Sequence, residues 1–228
     1  MNLERYDSPL AVAQAAANRI AEWAVQAVAE RGQFVLALSG GRTPWPMLDQ
    51  LAERDLPWRR IYLVQVDERT AAEGSNDRNL THIRARLADR VPLPPDNLYP
   101  MPVSAQDLQR AAATYASLLK DLCGEPPVLD CVHLGLGSDG HTASLLPGDS
   151  LLDLEDADVG VSAVYQGHRR MSLTRPVING ARHILWLVLG ADKHAMLQRL
   201  LEGDERIPAG RISRHQALVL TDIPAASA

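Results

Sequence analysis

Short runs of consecutive apolar residues alternate along this chain with longer stretches in which apolar residues return every third or fourth position. The first pattern suits strands covered on both faces, and the second suits helices that cover them. Strands are predicted at Phe34-Val35-Leu36-Ala37-Leu38 and at residues 61–66, 128–134, 159–164, 184–189 and 217–221. Ser8 and Pro9 read as a cap and a first-turn proline, opening a helix to about Arg31 that Gly32 ends. Its apolar face holds Ile20, Trp23, Ala24, Ala27 and Val28, and residues 1–33 are read as this one helix. Further helices are predicted from Pro44 to about Arg54, and from a cap at Ser75 or Asn76 to about Leu87. Two more run from a Ser104/Asp107 capping box to about Leu122, and from Lys193 to about Leu201. Residues 91–102 carry five prolines and read as an extended surface connection, and residues 225–228 are expected to fray. Regular alternation of strand and helix predicts an α/β fold: a three-layer αβα sandwich with a mainly parallel, Rossmann-like sheet. With no repeat or linker in sight, residues 1–228 are expected to form a single domain.

The polar chemistry falls just after the apolar runs, where ligands bind in such sheets. Residues 132–148 are the centre of it: a buried run stops at Gly135, Gly137 and Gly140, and Asp139 and His141 follow one another two positions apart. Thr142 and Ser144 complete what reads as acid/base equipment on a loop. The three glycines match a dinucleotide fingerprint, but that fingerprint needs a long helix at the third glycine. Pro147, seven residues after Gly140, leaves room for about two turns.

After the first strand, Ser39-Gly40-Gly41-Arg42-Thr43-Pro44 leads into a helix, and free amides at such a turn can cradle an anion. Asp67-Glu68-Arg69 ends the second strand; the acidic pair could orient a hydroxyl or act as base, and Arg69 could fork onto a phosphate. Arg169 and Arg170 flank a short extended segment, and Lys193 stands where its ammonium could reach an anion at neighbouring strand ends.

Composition narrows the partners. The net charge of −5, with scattered basic residues and a single Phe, argues against a nucleic-acid surface. No apolar run reaches membrane-spanning length and the first residues include Glu4, Arg5 and Asp7, so a soluble, cytoplasmic protein is expected. Cys123 and Cys131 read as reduced, buried thiols.

Taken in order, Leu38-Ser39-Gly40-Gly41-Arg42-Thr43-Pro44, Val66-Asp67-Glu68-Arg69, Ser75-Asn76, residues 134–148, Met171-Ser172-Leu173-Thr174, Asn179-Gly180-Ala181 and Gly190 through Lys193 resemble the 6-phosphogluconolactonase family, within the wider group that holds glucosamine-6-phosphate deaminases and isomerases. The resemblance implies hydrolysis of 6-phospho-D-glucono-1,5-lactone with no metal or organic cofactor, a small sugar-phosphate lactone as partner, and an oligomeric state left open. It puts His141 in the place of the catalytic base, with Asp139 orienting it and the amides of the 135–140 turn as oxyanion donors. Gly40, Gly41, Arg42 and Thr43 would hold the 6-phosphate, with Asp67 and Gly137 lining the site and Arg69, Arg170 and Lys193 supplying contacts or charge. Arg42 and Leu146 depart from the family's commoner residues, as does the loop at residues 70–74. An aminosugar-phosphate deaminase is disfavoured, because residues 142–146 lack the carboxylate that those enzymes carry just after the histidine. A non-catalytic sugar-phosphate sensor fits poorly with an intact Asp139 and His141.

Overall fold

The computed structural model describes residues 1–225, so the fraying expected at residues 225–228 falls almost wholly outside the described residues. The strands are β1 (Asn2–Arg5), β2 (Phe34–Leu38), β3 (Ile61–Gln65), β4 (Asp67–Arg69), β5 (Leu98–Tyr99), β6 (Cys131–Gly135), β7 (Val159–Val161), β8 (Arg170–Leu173), β9 (His183–Val188) and β10 (Ala217–Thr221). The helices are α1 (Pro9–Arg31), α2 (Trp45–Ala52), α3 (Asn79–Arg86), α4 (Leu108–Cys123), α5 (Arg175–Gly180) and α6 (His194–Glu202). Seven strands form a sheet in the order β1-β10-β9-β6-β2-β3-β5, with every pairing parallel. The other three form a small antiparallel sheet, β4-β8-β7.

Strand alternation produces the layers. Along β2, Phe34, Leu36 and Leu38 join a core with Ile20 of α1, Met47 and Leu48 of α2 and Ile83 of α3. Val35 and Ala37 face the opposite way, into a core with Tyr115 and Leu119 of α4, Val177 of α5 and Leu197 of α6. The apolar runs read as continuous because both faces of the sheet are covered. From β2 the chain builds outward through β3 to β5, then returns to the other side of β2 with β6 and continues to β9 and β10. The loops after β2 and β6 therefore leave in opposite directions, which opens a crevice between the carboxyl ends of these neighbours.

Several local expectations are corrected. Residues 1–33 hold β1 as well as α1; Asn2-Leu3-Glu4-Arg5 is a half-exposed edge strand whose short, mixed pattern carries no period. The proline-rich connection contains β5, held against β3, with Leu98 buried. Asp107, not Ser104, caps α4, its carboxylate accepting the Arg110 N–H at 3.0 Å. Neither Ser75 nor Asn76 caps α3, which begins at Asn79. Pro44 precedes α2, which carries Pro46 in its first turn. Asp67-Glu68-Arg69 is itself a strand, pairing with Ser172, Met171 and Arg170.

Candidate active site

The carboxyl ends of β2, β3, β6 and β9 enclose a cavity of about 180 Å³, lined among others by Ser39, Gly40, Gly41, Thr43, Asp67, Arg69, Gly137, His141 and Arg170. Its first wall is the turn after β2. Ser39 Oγ donates to the His133 carbonyl of β6 at 2.8 Å, tying this turn to the next strand. Gly41 has φ +95°, a conformation that glycine adopts without steric cost. At Gly40 a Cβ would overlap the amide of Asn79, so only glycine lets the turn pack against the start of α3.

The second wall is β4, whose period of two sends neighbouring carboxylates to opposite fates. Asp67 lines the cavity, its Oδ2 accepting from Ser144 Oγ at 2.7 Å and its Oδ1 from Asn79 Nδ2 at 3.3 Å. Glu68 is fully buried away from it. There its carboxylate accepts the backbone N–H groups of Arg69, Asn79 and Leu80 and the side-chain amide of Gln65, all within 2.9 Å, and faces Arg78. Glu68 thus caps α3 from outside the helix, the favourable place for an anion at a helix N-terminus. Thr142 and Ser144 are likewise structural: Thr142 Oγ1 donates to the Gly135 carbonyl at 2.9 Å, and Ser144 holds Asp67.

The third wall carries Asp139 and His141. Asp139 Oδ1 lies 2.5 Å from His141 Nδ1 and also accepts the His141 backbone N–H at 3.1 Å. Because Nδ1 faces the carboxylate, the imidazole is held as the Nδ1–H tautomer and Nε2 is left as the acceptor. Tyr165 donates its hydroxyl to Asp139 Oδ2 at 3.1 Å, and its ring meets His141 edge-on at 5.5 Å. The Arg170 guanidinium lies 4.9 Å over the Tyr165 ring and donates to Gln166 Oε1. Partial burial alone would raise the Asp139 carboxyl, but the His141 backbone N–H, the imidazole and the Tyr165 hydroxyl outweigh it and hold the group below its ordinary value. Burial lowers Arg170, against the opposing pull of Asp67. A Cβ at Gly137 would overlap the His141 ring, so this glycine is what lets the imidazole lie against its own loop.

Of the residues singled out from sequence, Gly40, Gly41, Thr43, Asp67, Arg69, Gly137, His141 and Arg170 meet in this cavity, with Asp139 behind His141. Arg42 instead lines an adjoining groove with Trp45, Asn76 and His82 that shares Gly41, Arg69 and Asn79 with the cavity. Lys193 lies in the loop after β9, its Nζ 3.7 Å from Asp192, and does not line the cavity. Among the oxyanion donors expected in the 135–140 turn, the Gly137 and Gly140 amides are already engaged, with the carbonyls of His141 and Gly137. Sequence reading missed Tyr165 and Asn79, both brought in by tertiary pairing from segments without a local signature, and the cap formed by Glu68. Among the described residues no group of three or more His, Cys, Asp or Glu is placed to hold a metal ion.

The chain is 41% identical over 176 residues to a 6-phosphogluconolactonase of Synechocystis sp., a match covering 75% of this chain and 73% of that one. It is 36% identical over 234 residues to a 6-phosphogluconolactonase of Streptomyces coelicolor, covering 95% and 90%. The crystal structure of 6-phosphogluconolactonase from Thermotoga maritima superposes with a TM-score of 0.86 at 25% identity, over 96% of this chain and 98% of that one. The family model for glucosamine-6-phosphate isomerases/6-phosphogluconolactonase matches residues 7–220, and the chain belongs to that family.

Proposed function

We propose that this cavity opens 6-phospho-D-glucono-1,5-lactone to 6-phosphogluconate, the lactone hydrolysis of the pentose phosphate pathway, with His141 as general base. The observation that carries the reading is the Asp139–His141 pair at 2.5 Å, its imidazole lining one cavity with a glycine turn and two arginines. Nε2 of His141 takes a proton from water as the water oxygen attacks the lactone carbonyl. Asp139, steadied by Tyr165, keeps the ring in the required tautomer and offsets the imidazolium charge. When the tetrahedral intermediate collapses, the ring C–O bond breaks and the proton passes from His141 to the departing hydroxyl oxygen. The Gly40–Gly41–Thr43 turn receives the 6-phosphate, while Arg69 and Arg170 supply positive charge and Asp67 accepts from a sugar hydroxyl. Arg42 adds charge in the adjoining groove, and Lys193 would add charge from the loop after β9.

Residues 1–228 act in this reading as one catalytic domain. Cytoplasmic placement fits the unpaired thiols Cys123 and Cys131, and no helix among the described residues is long and apolar enough to cross a membrane. The test is to generate the lactone in situ and follow acid release at mildly acidic pH, where unaided opening is slower, with glucosamine-6-phosphate and ammonia detection alongside. Acceleration that vanishes in His141→Ala is expected. Ammonia release without lactone opening would overturn the reading.

A further inference from the structure

His133 is a titratable group for which lactone opening has no use. It sits in the middle of β6, is 1% exposed, and neither ring nitrogen has a protein hydrogen-bond partner. A neutral imidazole has one donor and one acceptor, and burying both unpartnered is unfavourable. Burial alone pushes this imidazole down to about 4, so it is neutral at ordinary pH.

Strand alternation fixes the direction of the side chain. Val132 and Leu134 pack into the core beneath α4 and α5, whereas Cys131 packs into the core beneath α1 and α2. His133 pairs in register with Leu185, which also belongs to the α1/α2 side. This is the side on which the turn from Ser39 to Pro44 runs into α2, and His133 lines the cavity together with that turn. The Ser39 hydroxyl bonded to the His133 carbonyl holds the two at one distance.

We propose that His133 is a further ligand-contacting residue, whose ring N–H donates to the phosphate held by the Gly40–Thr43 turn. The imidazole then serves as the floor of the anion cradle and gains from the ligand the partner that the protein does not provide. This deepens the lactonase reading by adding a donor to its phosphate site, and it rests on that reading only for the name of the sugar.

The test uses inorganic phosphate and 6-phosphogluconate as probes, titrated calorimetrically into the wild type, His133→Leu and His133→Gln. His133→Leu is expected to weaken both probes about tenfold and to raise KM with kcat nearly unchanged. Its ligand-free melting temperature should stay level or rise, which a merely structural histidine would not give. His133→Gln, which keeps a donor, should recover part of the affinity and would decide the matter alone if the leucine variant failed to fold. Wild-type affinity for phosphate in either folded variant, or no phosphate binding by the wild type, would overturn the proposal. Weakened phosphate binding in a protein that opens no lactone would remove the lactonase reading and leave His133 in place.

Discussion

Glu68 and Asn79 are joined by a 2.8 Å hydrogen bond from the Asn79 backbone N–H to Glu68 Oε1, and through it the start of α3 is fastened to β4. Both residues are buried. Removing the buried carboxylate takes the acceptor from four donors and the partner from Arg78 at once, so Glu68→Ala is expected to cost about 3–5 kcal/mol. A fall in melting temperature on the order of 10 °C follows. Thermal unfolding followed by circular dichroism checks it; a variant as stable as wild type would show that α3 is fastened by something other than Glu68.

His141→Ala should lower kcat by on the order of a hundredfold or more while leaving 6-phosphogluconate binding nearly intact. Asp139→Asn should approach that loss, because the wrong tautomer is then favoured. Tyr165→Phe, which removes one hydroxyl from Asp139, should cost about tenfold. Steady-state kinetics of the three variants rank them, and a Tyr165→Phe enzyme slower than Asp139→Asn would reverse the assigned order of importance.

Gly137→Ala separates folding from chemistry. The nearest atoms that the new methyl group would meet belong to the His141 ring and the Asp139 carboxylate. The expected outcome is near-normal melting with turnover reduced at least as far as in Asp139→Asn; near-normal turnover would show that the imidazole works from another position.

Charge contacts to the ground-state phosphate should show as KM, not kcat. Arg69→Ala and Arg170→Ala are expected to raise KM about tenfold or more, and Arg42→Ala and Lys193→Ala by less, since neither of those side chains lines the cavity. Equal effects from Lys193 and Arg170 would mean that the loop after β9 folds over the bound ligand.

The buried imidazole of His133 also makes stability depend on pH. Below about pH 6.5 the unfolded chain takes a proton that the folded chain refuses until about pH 4, so stability rises with pH across that window. Burial lowers His183 as well, which acts in the same sense. Between pH 6.5 and 4 the His133 contribution amounts to about 3 kcal/mol lost. Urea unfolding at a series of pH values should show a shallower acid decline for His133→Leu; an identical decline would mean that His133 is protonated in the folded state.

The features legible in the sequence are those carried by local pattern. The five-residue run at β2, the Ser8 cap and the Gly32 end of α1 need only near neighbours in the chain, and all three stand where expected. The Asp139–His141 pair was legible because two residues of one loop meet each other. Glu68 was not, since its identity as a cap depends on a helix that starts eleven residues later. Tyr165 reaches Asp139 across twenty-six positions through the antiparallel sheet, a separation at which no spacing rule operates. The strand β1 eluded pattern reading because an edge strand four residues long needs neither alternation nor an apolar run.

The amide of Asn79 fills the space that a side chain at Gly40 would occupy, and it also donates to the Asp67 carbonyl at 2.9 Å. The glycine turn and the β4–α3 wall are therefore interlocked parts of one frame, not two jaws. A frame of this kind would set its gauge when the protein folds and keep it between turnovers, leaving little reorganisation to be done as each ligand arrives. On the proposed reading, selectivity by size would then belong to the resting molecule, and a substrate too broad for the frame would be refused at entry rather than rejected after closure.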